Sequence, residues 1–525
     1  MKRLTSIVIG LLVVLSLLLA ACAPAATPAA PEATQAPEAT QAPVQEEEEA
    51  AAPEEEAAKP EEAEVPADMP RFDGVTLKVS SIADVYAEAF RKFGDDMYDK
   101  FGVTFEFDNV PPQDAYKKDM LEFSSGMATH DIVLFMPAWL PDYAPHLEPL
   151  ADLAAKNNLD FALDDVMPIF KKFYTEWDGT WYTVPFDGDQ HNLYYNTMAF
   201  ENPDLQEAFQ AEYGYDLAPP KTWDEYQDIA LFLNGKDWDN DGETEYGVAE
   251  AWQRGGYAFW WWANKFEGFG GIWFDEDMNP LVNSPAGIRA LENTLAIRDA
   301  VPPGTENFGY PELENAFIKG EVPMVMQWDS TGKRCMDPDF STIIGNCGAA
   351  VLPGSRLADG TLVQRPGLPT GWTMGIPTYS ENKDAAMAVL YYISAYGPSL
   401  DNAMDPAIGA DPWRKSHFDA PEWATMWPDD LEYSQQYIDV LFETVEKGFP
   451  DLQVPGSYEY WQAADREIAE AIAGNKTAEQ ALNDAAAEWD AITDRFGRDT
   501  QRAAWGQQLA GMKTLGIEYL PEAAQ

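Results

Sequence analysis

Between Val75 and Met136 the apolar residues change period repeatedly, and that alternation constrains the fold more than any other feature. Val75, Leu77 and Val79 alternate with polar neighbours, Tyr86, Phe90, Phe93 and Met97 recur at helical spacing, and Val103, Phe105 and Phe107 alternate again. Tyr116, Met120 and Phe123 mark a second helix before an unbroken run, Ile132–Met136, bounded by Asp131 and Pro137. A period of two reads as a strand with one buried face, and a period near 3.6 as an amphipathic helix. An unbroken apolar run of this length fits a central parallel strand buried on both faces. The predicted order is βαβαβ, an open doubly wound α/β sheet whose ligands bind beyond the carboxyl ends of the strands.

Past Pro219 the pattern becomes largely helical. The segment PPKTWDEYQDIALFL opens a helix after two prolines, and Ile468, Ile472, Leu482, Ala486 and Trp489 keep a four-residue step near the end of the chain. Short strands are predicted near Tyr182–Pro185, Pro323–Trp328 and Gly348–Leu352. The 455 residues from Arg71 onward exceed one ordinary core, so two lobes are expected.

Residues 1–21 carry Lys2 and Arg3, an apolar run from Ile7 to Leu19 and a small-residue end, the layout of a secretory signal peptide. Leu19–Cys22 reads LAAC and resembles the bacterial lipoprotein box, which implies lipidation of Cys22 and anchoring to the outer face of the cell membrane. Residues 22–70 are nearly all Ala, Pro, Thr, Gln and Glu, a composition that cannot bury a core and reads as a solvated acidic tether. Such a tether spans roughly 40 Å.

The chain holds 34 basic and 89 acidic residues, a formal charge of −55; without the +2 of the leader and the −12 of the tether, −45 remains on the folded part. A field of that sign repels a phosphate backbone, so nucleic acid is excluded as a partner, and contact with the membrane is expected through the lipid alone. Besides Cys22 only Cys335 and Cys347 occur, in an exported chain, and they read either as a disulfide closing a short loop or as two buried thiols. His130, His146, His191 and His417 have no metal-ligand spacing, and no phosphate loop or dinucleotide fingerprint is present. The rival reading is a secreted carbohydrate-active enzyme, because among so many acids some carboxylate pair always lies close.

Several segments in order resemble the family 1 extracellular solute-binding proteins of ABC importers, the group that contains the maltodextrin-binding protein. They are GTWYTVPFDGDQHNLYYN, PPKTWDEY, GIWFDEDMNPLVNSPAGIRALE, ENAFIKGEVPMVMQWDSTG and GWTMGIPTYSENKDAAM. The resemblance implies a type II periplasmic-binding-protein fold of two doubly wound α/β lobes joined by hinge crossings near Asp187–His191, Ile344–Ala349 and Ser380–Asp384. Lobe one is then 72–188 plus 349–380, and lobe two 189–348 plus 381–525. It implies a monomeric receptor that captures a sugar and delivers it to the transmembrane subunits of a permease; the same fold with a non-sugar ligand stays open.

A pyranose has an apolar C–H face and a rim of hydroxyls, so its site wants aromatic plates together with carboxylates, amides or Arg. The chain has 18 Trp, 23 Tyr and 26 Phe. Trp139 follows the central strand, and Ser80 and Ser81 end the first one. By the resemblance, Tyr257 and Trp260 supply ring platforms of the second lobe, Trp328 and Asp329 sit in its aromatic turn, and Trp372 lies on the return to lobe one. Asp187, Asp189 and His191 fall at the crossover, and Arg414 completes the expected set; the competing reading is core packing for the rings, turns for the aspartates and a structural ion pair for Arg414. No cofactor is required. Asp237, Asp239 and Asp241, followed by Gly242, resemble the start of a calcium loop, with Glu245 in place of the usual distal Glu, and read either as a structural calcium site or as a plain acidic turn.

Overall fold

The structure is a computed structural model that describes residues 69–517 except 128, 240–241, 358 and 369–370. The leader, Cys22, Asp241 and nearly all of the tether lie outside the described residues.

The first sheet has the order β2-β1-β3-β8-β4, formed by β1 (Thr76–Ile82), β2 (Thr104–Val110), β3 (Ile132–Phe135), β4 (Thr183–Asp187) and β8 (Trp372–Gly375). β1 is parallel to both β2 and β3, while β8 is antiparallel to both of its neighbours. Leu77 and Val79 are buried from the alternating strand, and all four residues of β3 are buried, as expected for a strand covered on both faces. Helix α1 (Pro112–Ser125) starts with a proline in its first turn, where the missing N–H costs nothing, and stops at Gly126, whose φ of 70° is the left-handed cap that glycine adopts most readily.

The second sheet is smaller: β5 (His191–Asn196) lies between β6 (Met324–Trp328) and β7 (Cys347–Val351) and is antiparallel to both. Helix α4 (Leu431–Lys447) packs on it directly, while α2 (Tyr257–Gly268), α5 (Ser457–Ile472) and α6 (Ala478–Phe496) pack in succession on one another. Cys335 and Cys347 are joined by a disulfide that ties β7 to the turn after β6.

The chain passes between the sheets from Asp187 to His191, and two expected boundaries move. Residues 347–351 pair with β5 in the second sheet, so lobe one cannot resume at 349; it resumes at β8. Helix α3 (Lys383–Ser394), expected in lobe two, belongs to lobe one: Tyr392 packs edge-on against Phe93 and Phe101 and bonds Asp96, and Asp384 pairs with Lys156. The segment is apolar on most of its surface, and the hydrophobic face that it must bury is offered by the first sheet. A further passage into lobe two therefore falls between Arg414, still bridged to Val166, and α4.

Candidate functional site

Strand register puts the crossover residues beside the rings. Trp372 is the partner of Asp187 across β8 and β4, with a bulge just after it, and His191 is the partner of Trp328 across β5 and β6. A bulge re-aims the side chain next to it. Trp372 accordingly packs on Tyr86 at 5.7 Å and meets Trp139 edge-on at 6.5 Å, which makes the lobe-one wall.

On lobe two, Trp328 gathers Tyr257 (6.2 Å), Trp260 (6.3 Å) and Trp261 (5.3 Å) of α2. The third tryptophan of that helix, Trp262, points the other way: its indole donates to the Gly287 carbonyl and stacks on Phe266. Three consecutive helical positions cannot face one side, so this division follows from the 100° step. Trp461 of α5 closes the gap, 6.1 Å from Trp139 and 5.7 Å from Trp260, so the aromatic wall runs continuously from one lobe to the other. The indole N–H groups of Trp139, Trp260 and Trp461 and Nε2 of His191 are buried without a hydrogen-bond partner. Buried donors are paired in the great majority of folds; the buried indoles of Trp223, Trp238, Trp273 and Trp505, outside the wall, are unpartnered as well, so the orphans on the wall are donors open to a ligand and do not by themselves mark its site.

Beside this wall, the crossover between the lobes forms an acidic floor. Carboxylate oxygens of Asp187, Asp189 and Asp411 lie within 4.8 Å of one another, all buried. Asp187 accepts from the Tyr86 hydroxyl at 2.8 Å and from the Asp411 N–H at 2.7 Å, and the Gly188 N–H donates to the Asp411 carbonyl. Gly188 is required there, because a Cβ would stand 2.2 Å from the Pro412 carbonyl oxygen. Lys333 is 3.2 Å from Asp411 and also donates to the carbonyls of Ala403 and Ala410. Burial, then the neighbouring Asp411 charge, hold the Asp187 carboxyl well above the usual range; burial and Asp187 do the same to Asp189. Burial also raises Asp411, with Lys333 pulling against it. Like charges this close cannot all ionise, so the floor retains protons and offers O–H donors as well as acceptors.

The other expected residues separate into two groups. Ser81 is buried with an unpartnered hydroxyl, whereas Ser80 donates to Asp119. Asp329 is fixed under the floor by Asn192 at 2.6 Å. Arg414 is corrected to a structural role: it is buried, it donates to the carbonyls of Ser394 and Phe161, pairs with Asp165 at 3.3 Å and lies over Trp413, so its fork of donors is spent on the chain itself. Outside the cleft, carboxylate oxygens of Asp237, Asp239 and Glu245 converge within 4.8 Å.

Trp461, Asp411, Lys333 and Asn264 escaped the sequence reading. Only Trp461 left a signal, in that Tyr458 and Trp461 open a helix one turn apart directly after Pro455–Gly456.

Two α/β lobes, chain crossings between them and a wall of rings beside buried acids are the architecture of a receptor for a small solute. Residues 83–395 match the family of bacterial extracellular solute-binding proteins, and the chain belongs to that family. The y4oP protein of Sinorhizobium fredii, described as a probable amino-acid ABC transporter periplasmic-binding protein, is 25% identical over 69% of this chain and 78% of its own length. The fold is the type II periplasmic-binding-protein fold. A solute-binding protein from Agrobacterium radiobacter K84 in complex with ribitol superposes with a TM-score of 0.68 at 21% identity, over 80% of this chain and 100% of that one. Maltose-bound MalE3 of T. maritima does so at 0.66 and 21%, with the same coverage.

Proposed function

We propose that the protein is the capture component of an ABC importer, anchored outside the cell through Cys22, which closes its lobes on a neutral sugar, oligosaccharide or polyol and passes it to the permease. The observation that carries this reading is the aromatic wall running across both lobes with its unpartnered N–H donors, above a floor of partly protonated carboxyls. Rings stack on the C–H faces of a sugar, the N–H groups donate to its oxygens, and the carboxyls exchange hydrogen bonds with its hydroxyls. The protein acts by binding alone. The ribitol and maltose of the structural neighbours belong to the same chemical class.

An amino-acid ligand, as named for the Sinorhizobium relative, has less support. Its ammonium would suit the acidic floor, but its carboxylate would find no free cation there among the described residues, because the charge of Lys333 is already committed to Asp411 and two carbonyls. The acidic loop at Asp237, Asp239 and Glu245 is read as a structural calcium site.

A thermal-shift panel of maltose, maltotriose, ribitol, mannitol and the common amino acids tests the proposal. A binder at a hundredfold excess over its Kd stabilises the native state by about 2.7 kcal/mol. Stabilisation by sugars or polyols alone is the expected result. Stabilisation by amino acids alone, or turnover of a labelled oligosaccharide, would overturn it.

A further inference from the structure

Asn264 sits on α2 between the wall and the crossover, and each atom of its amide is assigned. Its Oδ1 accepts the Gly367 N–H at 3.0 Å, while its Nδ2 donates to the Trp260 carbonyl at 2.9 Å and lies 2.8 Å from Nδ1 of His191. Turning the amide over would set its oxygen against the Trp260 carbonyl and its NH2 against the Gly367 N–H, so the orientation is fixed by backbone groups alone. Nδ1 of His191 must then be an acceptor. A neutral imidazole carries one N–H, which leaves the proton on Nε2. Burial pushes His191 down to about 3, so the ring is neutral throughout the physiological range. Its ring packs 4.6 Å from Trp261 and 4.5 Å from Trp328, inside the wall, and Nε2 has no partner.

We propose that the Nε2–H of His191 donates to an oxygen acceptor of the bound solute, and that Asn264 is the positioning residue that keeps it a donor; the inference rests on the cleft being the solute site. A ring held in one tautomer by Gly367 and Trp260 selects a hydroxyl or ring oxygen at this point and disfavours a group that only donates.

Long-range proton–nitrogen NMR on 15N-labelled protein reads the tautomer without any ligand, His191 being assigned through its loss in His191→Phe. The expected wild-type spectrum shows an unprotonated Nδ1 and a protonated Nε2. In Asn264→Asp the carboxylate takes up an Nδ1–H, so Nδ1 becomes protonated; Asn264→Ala, which removes the lock without burying a charge, gives a mixture of tautomers. A wild-type ring protonated on Nδ1, or already mixed, overturns the positioning role. With the tightest binder among maltose, maltotriose, ribitol and mannitol, His191→Phe and Asn264→Asp each weaken binding about tenfold, the loss of one buried hydrogen bond. Affinity unchanged in a variant whose tautomer has switched overturns the donor role. If none of these sugars binds the wild type, the sugar reading and the donor role fall together, while the tautomer spectra still decide the role of Asn264.

Discussion

One contact that links the two lobes is the ring pair Tyr116 and Tyr458, and its removal has a calculable effect. Tyr116 belongs to α1 on the first lobe, and Tyr458 to the first turn of α5, whose body packs on α2 and α6 of the second. The rings stack at 4.5 Å with their planes 11° apart, the Tyr458 hydroxyl donates to the Gln113 carbonyl at 3.3 Å, and Lys117 stands 5.7 Å over the Tyr458 ring. A stacked pair contributes about 1 kcal/mol, and a partly buried hydrogen bond about 1 kcal/mol more. Tyr458→Ala therefore costs this arrangement of the lobes about 2 kcal/mol, which is roughly thirtyfold in its equilibrium with an arrangement that lacks the contact. With capture by closure as proposed, and this arrangement the one that holds the solute, affinity measured by calorimetry falls by up to that factor. Tyr458→Phe, which keeps the stack, loses only about fivefold. Circular dichroism verifies that both variants remain folded. Affinity within twofold of wild type in Tyr458→Ala would refute the assignment of this pair to closure.

Further outcomes are specific. Asp142 accepts from the Gly456 N–H and the Tyr116 hydroxyl, and burial pushes it up to about 6 against the pull of both. Its folded value lies above the unfolded one, so the native state holds the extra proton and stability from this group falls as pH rises from about 4 to about 6, by on the order of 2 kcal/mol. Urea midpoints at both ends of that window should differ less in Asp142→Asn than in wild type, and an equal difference would contradict the reading. Replacing Cys335 and Cys347 by Ser should lower stability by about 3 kcal/mol, since the bridge closes a loop with a sequence separation of 12, while leaving ligand affinity intact. Calcium should raise the melting temperature of wild type and leave that of Asp239→Asn unchanged; the same response in both would dismiss the loop as a cation site.

The parts of the fold written in local pattern were legible. The run Ile132–Met136 became β3, the alternation from Leu77 became β1, and Trp139 stands at the carboxyl end of the central strand. Lobe boundaries were less legible, because α3 is apolar nearly all round and its sequence does not say which sheet covers it. Within the cleft, rings next to strand ends were readable from position, whereas Asp411 and Asn264 act through partners far along the chain, at separations of 224 and 73 residues. Arg414 misled for the same reason: the Ser394 and Phe161 carbonyls that use its donors leave no mark near it in the sequence.

Small-angle X-ray scattering of the protein with and without its tightest sugar tests the central claim most directly. A folded part of this size has a radius of gyration of about 22 Å. Closure of the lobes predicts a smaller radius at saturating sugar, with wild type responding and Tyr458→Ala requiring more ligand to reach the same value. An unchanged radius while calorimetry reports full occupancy would contradict capture by closing lobes.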